Sequence, residues 1–357
     1  MTDLSVSQTR TVTSAAAAFE IEAELIKPLS GGFSGSGVFR VVNSDGVAFV
    51  IRLTPLNLAL PAERLTLLHR LLRRTVELGQ TGIPVPLLPM RTLTTTASTI
   101  RQVGDSSCII DDFRVTAETW IHGQPVATVP NNEQLNSALG HLRSFHATLR
   151  LAAASLPMNE WFFVRDDHSP GLIRRSQLVH DLKHGELDRL AVASVSHSDP
   201  VFQSLSRGAM EAIRAWLPWL LEKLSSLTKT KFPLQPVVRD LWRPHVLFEG
   251  HDVTGIIDLS SAASDHFVTD FARLFRSWYG EDHTAMNDAC RMMAEQYSLT
   301  SPERQLLQCL DACSTLLSPV TWIRRRLESS SRSELPEDIR RRMEHLVNVA
   351  RQFQPVS

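Results

Sequence analysis

The sequence predicts a two-part α+β protein, with a small β-rich lobe over residues 1–122 followed by a larger, mainly helical lobe over residues 123–357. Three observations support this. A chain of 357 residues with 43% hydrophobic content is long for one domain and can bury two cores. Short β-forming runs separated by turns fill most of the chain before His122-Gly123, and helical spacing of apolar residues takes over from Asn132 onward. The change is a shift of composition with no long linker between.

In chain order, the first element is an Ala-rich helix around Ser14 to Glu24. Strands over Gly37 to Val42 and Val47 to Leu53 flank the turn Asn43-Ser44-Asp45-Gly46, a strong hairpin signal. A helix over Pro61 to Gly79 starts at a proline suited to a first turn and stops against the run TGIPVP. Residues 91–121 alternate polar turns with strand formers. In the second lobe, helices are expected from Asn132, over Ser206 to Leu227, over Thr300 to Leu317 and over Pro336 to Val349. Residues 192–207 and 329–338 read as loops.

Composition narrows the partners. A net charge of -1 with 21% charged residues gives no global pull toward nucleic acid or an anionic membrane. Four scattered cysteines, Cys108, Cys290, Cys309 and Cys313, fit a cytoplasmic protein with reduced thiols better than a disulfide scaffold or a zinc module. The opening lacks a basic cluster leading into an apolar run, so it reads poorly as a signal peptide, and no later run is read as a membrane span. No feature sets an oligomeric state.

The chemistry concentrates between residues 237 and 275. Two apolar β runs, HVLFE and VTGIID, are separated by a turn, so a hairpin is expected with Asp240 before its first strand and Asp258 leaving its second. One carboxylate could align or accept the proton of a substrate hydroxyl, and the other could coordinate Mg²⁺ on nucleotide phosphates. Acids beside turns are also ordinary surface features, and the residues alone leave both readings open. Near the start, Gly31, Gly32, Gly35 and Gly37 precede a strand, where absent side chains would let backbone donors approach phosphates. No GKS or GKT follows, so this is not a Walker A loop, and a mobile hairpin is the plainer alternative.

The stretch VRDLWRPHVLF followed by GIIDLSS resembles the aminoglycoside phosphotransferase and choline kinase superfamily, whose pattern is approximately His-Gly-Asp-Leu-His-x-x-Asn-Val-Leu, a hairpin, then an Ile-Asp-Phe-Gly-like segment. The resemblance covers most of residues 25–325 and implies a bilobal, protein-kinase-like fold. It assigns the catalytic base to Asp240 and metal binding to Asp258. It also implies a nucleotide-covering loop at Gly32, Gly35 and Gly37, a phosphate contact from Arg52, and Glu63 as the helical acid paired with that arginine, with Glu77 as the fallback. Asp270, opening DFARLF, matches an acid that braces the catalytic loop, with a substrate contact as the alternative. Backbone near Trp120 and His122 would recognise a purine base, Trp120 and His146 serving as packing residues.

Several positions depart from the pattern. Val238 replaces the motif histidine, Arg52 replaces the usual lysine, and no glycine follows Leu259. His245 stands at the metal-binding asparagine, where it could ligate metal, contact phosphate or hydrogen-bond the loop; imidazole is softer than Mg²⁺ prefers. The resemblance implies a kinase that transfers the γ-phosphoryl group of ATP or GTP, with Mg²⁺, to a hydroxyl of a small metabolite. The alternative is a weak or inactive kinase-like nucleotide-binding protein.

Overall fold

The computed structural model describes residues 6–29, 35–90, 94–95, 98–328 and 335–355. They form two compact units. The first comprises the described residues of Met1–Pro125 together with Gly140–Phe163 and His245–Ser260; the second comprises Val126–Leu139, Val164–Pro244 and the described residues of Ser261–Ser357.

The first unit opens with helix α1 (Val6–Ala18), then strands β1 (Ala23–Pro28), β2 (Gly37–Asn43) and β3 (Ala48–Pro55), helix α2 (Ala62–Glu77), and strands β4 (Thr94–Thr95), β5 (Ser98–Gln102), β6 (Cys108–Ile110) and β7 (Phe113–Thr119). The seven strands make one antiparallel sheet in the order β1-β2-β3-β7-β6-β5-β4. At the β2–β3 turn, Asn43 Oδ1 accepts from the backbone N–H groups of Asp45 at 3.2 Å and Val47 at 2.8 Å. The period of two then sorts the strands. Phe39, Val41, Ile51, Leu53, Val115 and Ala117 are buried on one face with Val12, Ala15 and Ala16 of α1. Each large apolar side chain so buried stabilises by about 2 kcal/mol. Arg40, Arg52 and Glu118 are set by the same alternation on the opposite face.

Helix α3 (Asn132–Ala154) follows, with its residues from Gly140 onward in the first unit, and the second unit includes β8 (Arg165–Asp167), α4 (Pro170–Asp181), α5 (Leu187–Val195), α6 (Pro200–Leu227) and β9 (Phe232–Val237). The hairpin β10 (Val246–Glu249) and β11 (Asp252–Ile256) belongs to the first unit. The second resumes with β12 (Ala263–Asp265), α7 (Val268–Tyr279), α8 (His283–Gln296), α9 (Ser301–Glu328) and α10 (Glu337–Arg351). Strands β12, β9 and β8 form a small antiparallel sheet. Its last residue, Asp265, fixes the start of α4 by accepting from Ser169 Oγ at 2.5 Å and Gly171 N at 3.0 Å. Arg276 and the fully buried Asp311 join α7 to α9 through two hydrogen bonds of 2.8 and 2.6 Å.

The elements differ from expectation in identifiable places. The first helix ends at Ala18, and Ala23–Pro28 is an edge strand whose mixed, largely exposed residues carry little β signal. Residues 192–207 are mostly helical. Asp199 caps α6 by accepting from Val201 N at 2.8 Å and Phe202 N at 3.3 Å, with Pro200 in its first turn. Of the expected loop at 329–338, residues 329–334 lie outside the described residues. By length and composition α9 could cross a membrane, contrary to the reading above, but 72% of its apolar stretch is buried within the fold, as in a core helix. All four cysteines are free and buried.

Candidate active site

Within the first unit, the hairpin β10–β11 brings together two of the expected residues. Val246 pairs with Ile256, so the residue before β10 and the second residue past β11 are brought side by side. These are His245 and Asp258: the His245 carbonyl accepts from Ile257 N at 2.9 Å, and His245 Nε2 lies 3.7 Å from Asp258 Oδ2. The hairpin is seated closely on earlier segments of the same unit. Gln124 and Phe248 exchange both backbone hydrogen bonds, at 2.9 and 2.8 Å, and Ile256 N donates to Gly82 O at 2.8 Å. Gly255 is required here, because a Cβ would strike the Gly82 carbonyl oxygen and the Ile121 side chain.

Arg52, on the polar face of β3, reaches the other oxygen of Asp258: its Nη2 is 3.2 Å from Oδ1, which also accepts from Ser260 Oγ at 3.1 Å. Glu118 on the neighbouring strand is the second acid near Arg52. Burial pushes its carboxyl above the ordinary value; the Arg52 guanidinium opposes the shift and the Asp258 charge adds to it. The expected pair between Arg52 and Glu63 is therefore corrected. Glu63 sits in the first turn of α2, exposed and without an ion pair among the described residues, while the opposite face of that helix buries Leu65, Leu68, Leu71 and Leu72. Glu77 instead bonds Arg74 at 2.9 Å.

Two of the expected loop glycines can be placed. Gly35 has φ +74°, a conformation that favours glycine, and a Cβ there would approach Leu58 Cδ1 to 2.9 Å. Gly37 opens β2 opposite Leu53. Gly31 and Gly32 lie outside the described residues. Trp120 is half-buried rather than a core residue, with the Arg40 guanidinium 4.9 Å from its ring centre, and the His122 carbonyl accepts from Thr254 Oγ1 at 2.6 Å. His146 is buried in α3.

The second unit holds Asp240, and one face of α7 organises its loop. Residues three, four and seven apart share a helix face. Asp270, fully buried, accepts from Val238 N at 3.0 Å and Arg239 N at 2.6 Å. Arg273 Nε lies 2.6 Å from Asp240 Oδ1, and Ser277 Oγ accepts from Arg243 N at 2.7 Å. Asp270 thus binds backbone donors of the Asp240 loop. This clamp holds Arg239 at φ +67°, a left-handed conformation unfavourable for a side-chain-bearing residue, at the position where the family pattern has glycine. Asp270→Ala would leave two N–H groups unpaired at a buried site and is expected to destabilise the protein by about 3 kcal/mol, read as a lower urea midpoint. An unchanged midpoint would contradict the bracing role.

Sequence reasoning missed Glu118, Arg273 and Ser277. The first was signalled by the alternation in Phe113–Thr119, the other two by their spacing from Asp270.

The donor set constrains any metal. No group of three or more His, Cys, Asp or Glu side chains gathers among the described residues, so a closed protein cage of the zinc type does not fit. A partly exposed Asp258 carboxylate, with His245 beside it, does fit Mg²⁺, which commonly takes one or two carboxylates and completes its shell with phosphate oxygens and water.

Among solved structures, the fold is similar to an amicoumacin kinase in complex with AMP-PNP, Ca²⁺ and Ami, at 12% identity and TM-score 0.62, covering 98% of this chain and 95% of that one. It is similar to an aminoglycoside phosphotransferase from Alicyclobacillus acidocaldarius, at 11% identity and TM-score 0.60, covering 99% and 94%. A spectinomycin phosphotransferase in complex with ADP and spectinomycin matches at 13% identity and TM-score 0.60, covering 98% of each chain. At these identities the likeness establishes the protein-kinase-like α+β fold. No curated protein matches the sequence. The pattern of the Phosphotransferase enzyme family, however, matches residues 25–300, more than three quarters of the chain. That span takes in the Arg52 strand, the Asp240 loop, the Asp258 hairpin and the α7 clamp, and by it the chain belongs to the phosphotransferase enzyme family, in the aminoglycoside phosphotransferase and choline kinase superfamily.

Proposed function

We propose that this phosphotransferase is a small-molecule kinase that transfers the γ-phosphoryl group of ATP or GTP to a hydroxyl. The observation that carries the reading is the Asp258 carboxylate, with one oxygen held by Arg52 at 3.2 Å and the other directed toward His245. Asp258, with His245 beside it, would hold Mg²⁺, and the Gly35–Gly37 segment and Arg52 would hold nucleotide phosphates. When bound, Mg²⁺ supplies charge neutralisation at the β- and γ-phosphates. Asp240 aligns the acceptor hydroxyl and takes its proton as the acceptor oxygen bonds to the γ-phosphorus. The bond to the β–γ bridging oxygen breaks and the nucleoside diphosphate leaves. Arg273 keeps the Asp240 carboxylate oriented, and Asp270 keeps its backbone in place. A cytoplasmic setting with reduced thiols suits four free cysteines.

The test is a transfer assay with γ-labelled ATP and GTP, Mg²⁺ and a library of hydroxylated metabolites. The expected result is a Mg²⁺-dependent labelled phosphate ester. Folded protein that binds neither nucleotide would refute the reading.

A further inference from the structure

A pocket within the second unit adjoins Asp240, and its charge bears on the acceptor. It is an open cleft of about 50 Å³, walled by Trp242, Arg273, Arg276, Thr315, Arg342 and His345 among others. Two of its arginines are already matched by acids, Arg273 by Asp240 and Arg276 by Asp311. Arg342 is not. Its guanidinium lies 4.5 Å from the Trp242 ring centre, half-buried and without a carboxylate in ion-pair contact among the described residues. Burial pushes it down to about 10; the Arg273 and Arg243 charges push the same way and Asp240 opposes them. Arg243 likewise has no ion pair among the described residues. Glu281, exposed, acts on His345.

An arginine held over an indole ring, with a further positive charge close by, presents a planar donor fork that matches carboxylate or phosphate. The contact with the ring restrains it, so less side-chain freedom is lost on binding. A polycationic acceptor would meet like charge here.

Resting on the reading of Asp240 as the residue that aligns the acceptor, we propose that the acceptor is an anionic hydroxylated metabolite whose carboxylate or phosphate group is held by Arg342 and Arg243 beside Trp242. Trp242 and Arg243 lie two and three residues after Asp240, and Arg273 both lines the pocket and forms an ion pair with the Asp240 carboxylate. An anion seated there leaves a neighbouring hydroxyl of the same small molecule near Asp240.

The experiment is calorimetric titration without nucleotide, using glycerate for a carboxylate, glycerol 3-phosphate for a phosphate ester, glycerol as the neutral control and ethanolamine as the cationic one. Wild type, Arg342→Met and Arg243→Gln are compared, with circular dichroism as the check on folding. At least one anionic probe is expected to bind saturably and to lose about tenfold or more in affinity in Arg342→Met, since a charge-assisted hydrogen bond is removed while an apolar side chain remains on Trp242. Arg243→Gln is expected to weaken the same probe less, and it decides the matter if Arg342→Met does not fold. Which probe binds distinguishes carboxylate from phosphate. Anionic probes that bind no better than glycerol or ethanolamine, or that bind folded variants as tightly as wild type, would overturn the proposal. Transfer to a neutral or cationic acceptor, unchanged in Arg342→Met, would refute the anion site and leave the kinase reading standing. Anion binding that is lost in Arg342→Met, in folded protein that binds neither ATP nor GTP, would refute the kinase reading and leave the site.

Discussion

Asp240→Asn is expected to lower turnover by about a thousandfold, the span usually attributed to a positioned proton acceptor, while leaving nucleotide affinity close to wild type. Asparagine keeps the shape and one acceptor oxygen, so the contact with Arg273 Nε can persist in geometry. What is lost is the negative charge that draws the acceptor proton. The fold should be little affected, because the Asp240 side chain is 44% exposed and an ion pair of that exposure contributes less than about 1 kcal/mol. The backbone of the loop is held independently, by Asp270 on Val238 and Arg239 and by Ser277 on Arg243. Initial rates with the acceptor found by the labelled-nucleotide assay, alongside urea unfolding, check this. A folded variant with wild-type turnover would remove Asp240 from the chemistry.

Asp258→Asn is expected to act earlier, weakening Mg²⁺-dependent nucleotide binding by about tenfold or more and suppressing transfer with it, because a neutral amide is a poorer partner for a divalent ion. Two local effects accompany the substitution. Arg52 loses an ionic partner at 3.2 Å and keeps Glu118 as its acidic neighbour. Glu118 in turn loses a like charge that raised its carboxyl, so its proton affinity should fall. Nucleotide titrations at several Mg²⁺ concentrations separate metal-dependent affinity from general damage. A variant with wild-type Mg²⁺ dependence would place the metal elsewhere.

How much of this the sequence disclosed depended on how local the cause was. The hairpin β10–β11 was readable because two short apolar β runs and a turn at Gly250 are written in adjacent residues. The hairpin β2–β3 was readable for the same reason, Asn43 supplying its own turn bonds. Helix α6 was placed too late because the Asp199-Pro200 start was read as part of a loop. Strand β1, largely exposed at the sheet edge, has no buried face to impose an alternation. In the site, the partner of Arg52 turned on which elements meet in space. Glu63 had the right chemistry and a helix to carry it, but it points to solvent, whereas Asp258 arrives from 206 residues away. The α7 clamp was half legible: Asp270 was singled out, while Arg273 and Ser277 looked like ordinary helix-surface residues until the loop they hold was in view.

The central claim is a division of labour, with Asp258 holding the metal–nucleotide and Asp240 aligning the acceptor. Calorimetric titration of ATP and GTP into wild type, Asp240→Asn and Asp258→Asn, with and without Mg²⁺, tests it most directly, because it needs no knowledge of the acceptor. The account predicts Mg²⁺-dependent binding of at least one nucleotide to wild type, retained in Asp240→Asn and weakened by about tenfold or more in Asp258→Asn. Equal Mg²⁺-dependent affinity in all three folded proteins, or a loss confined to Asp240→Asn, would contradict it.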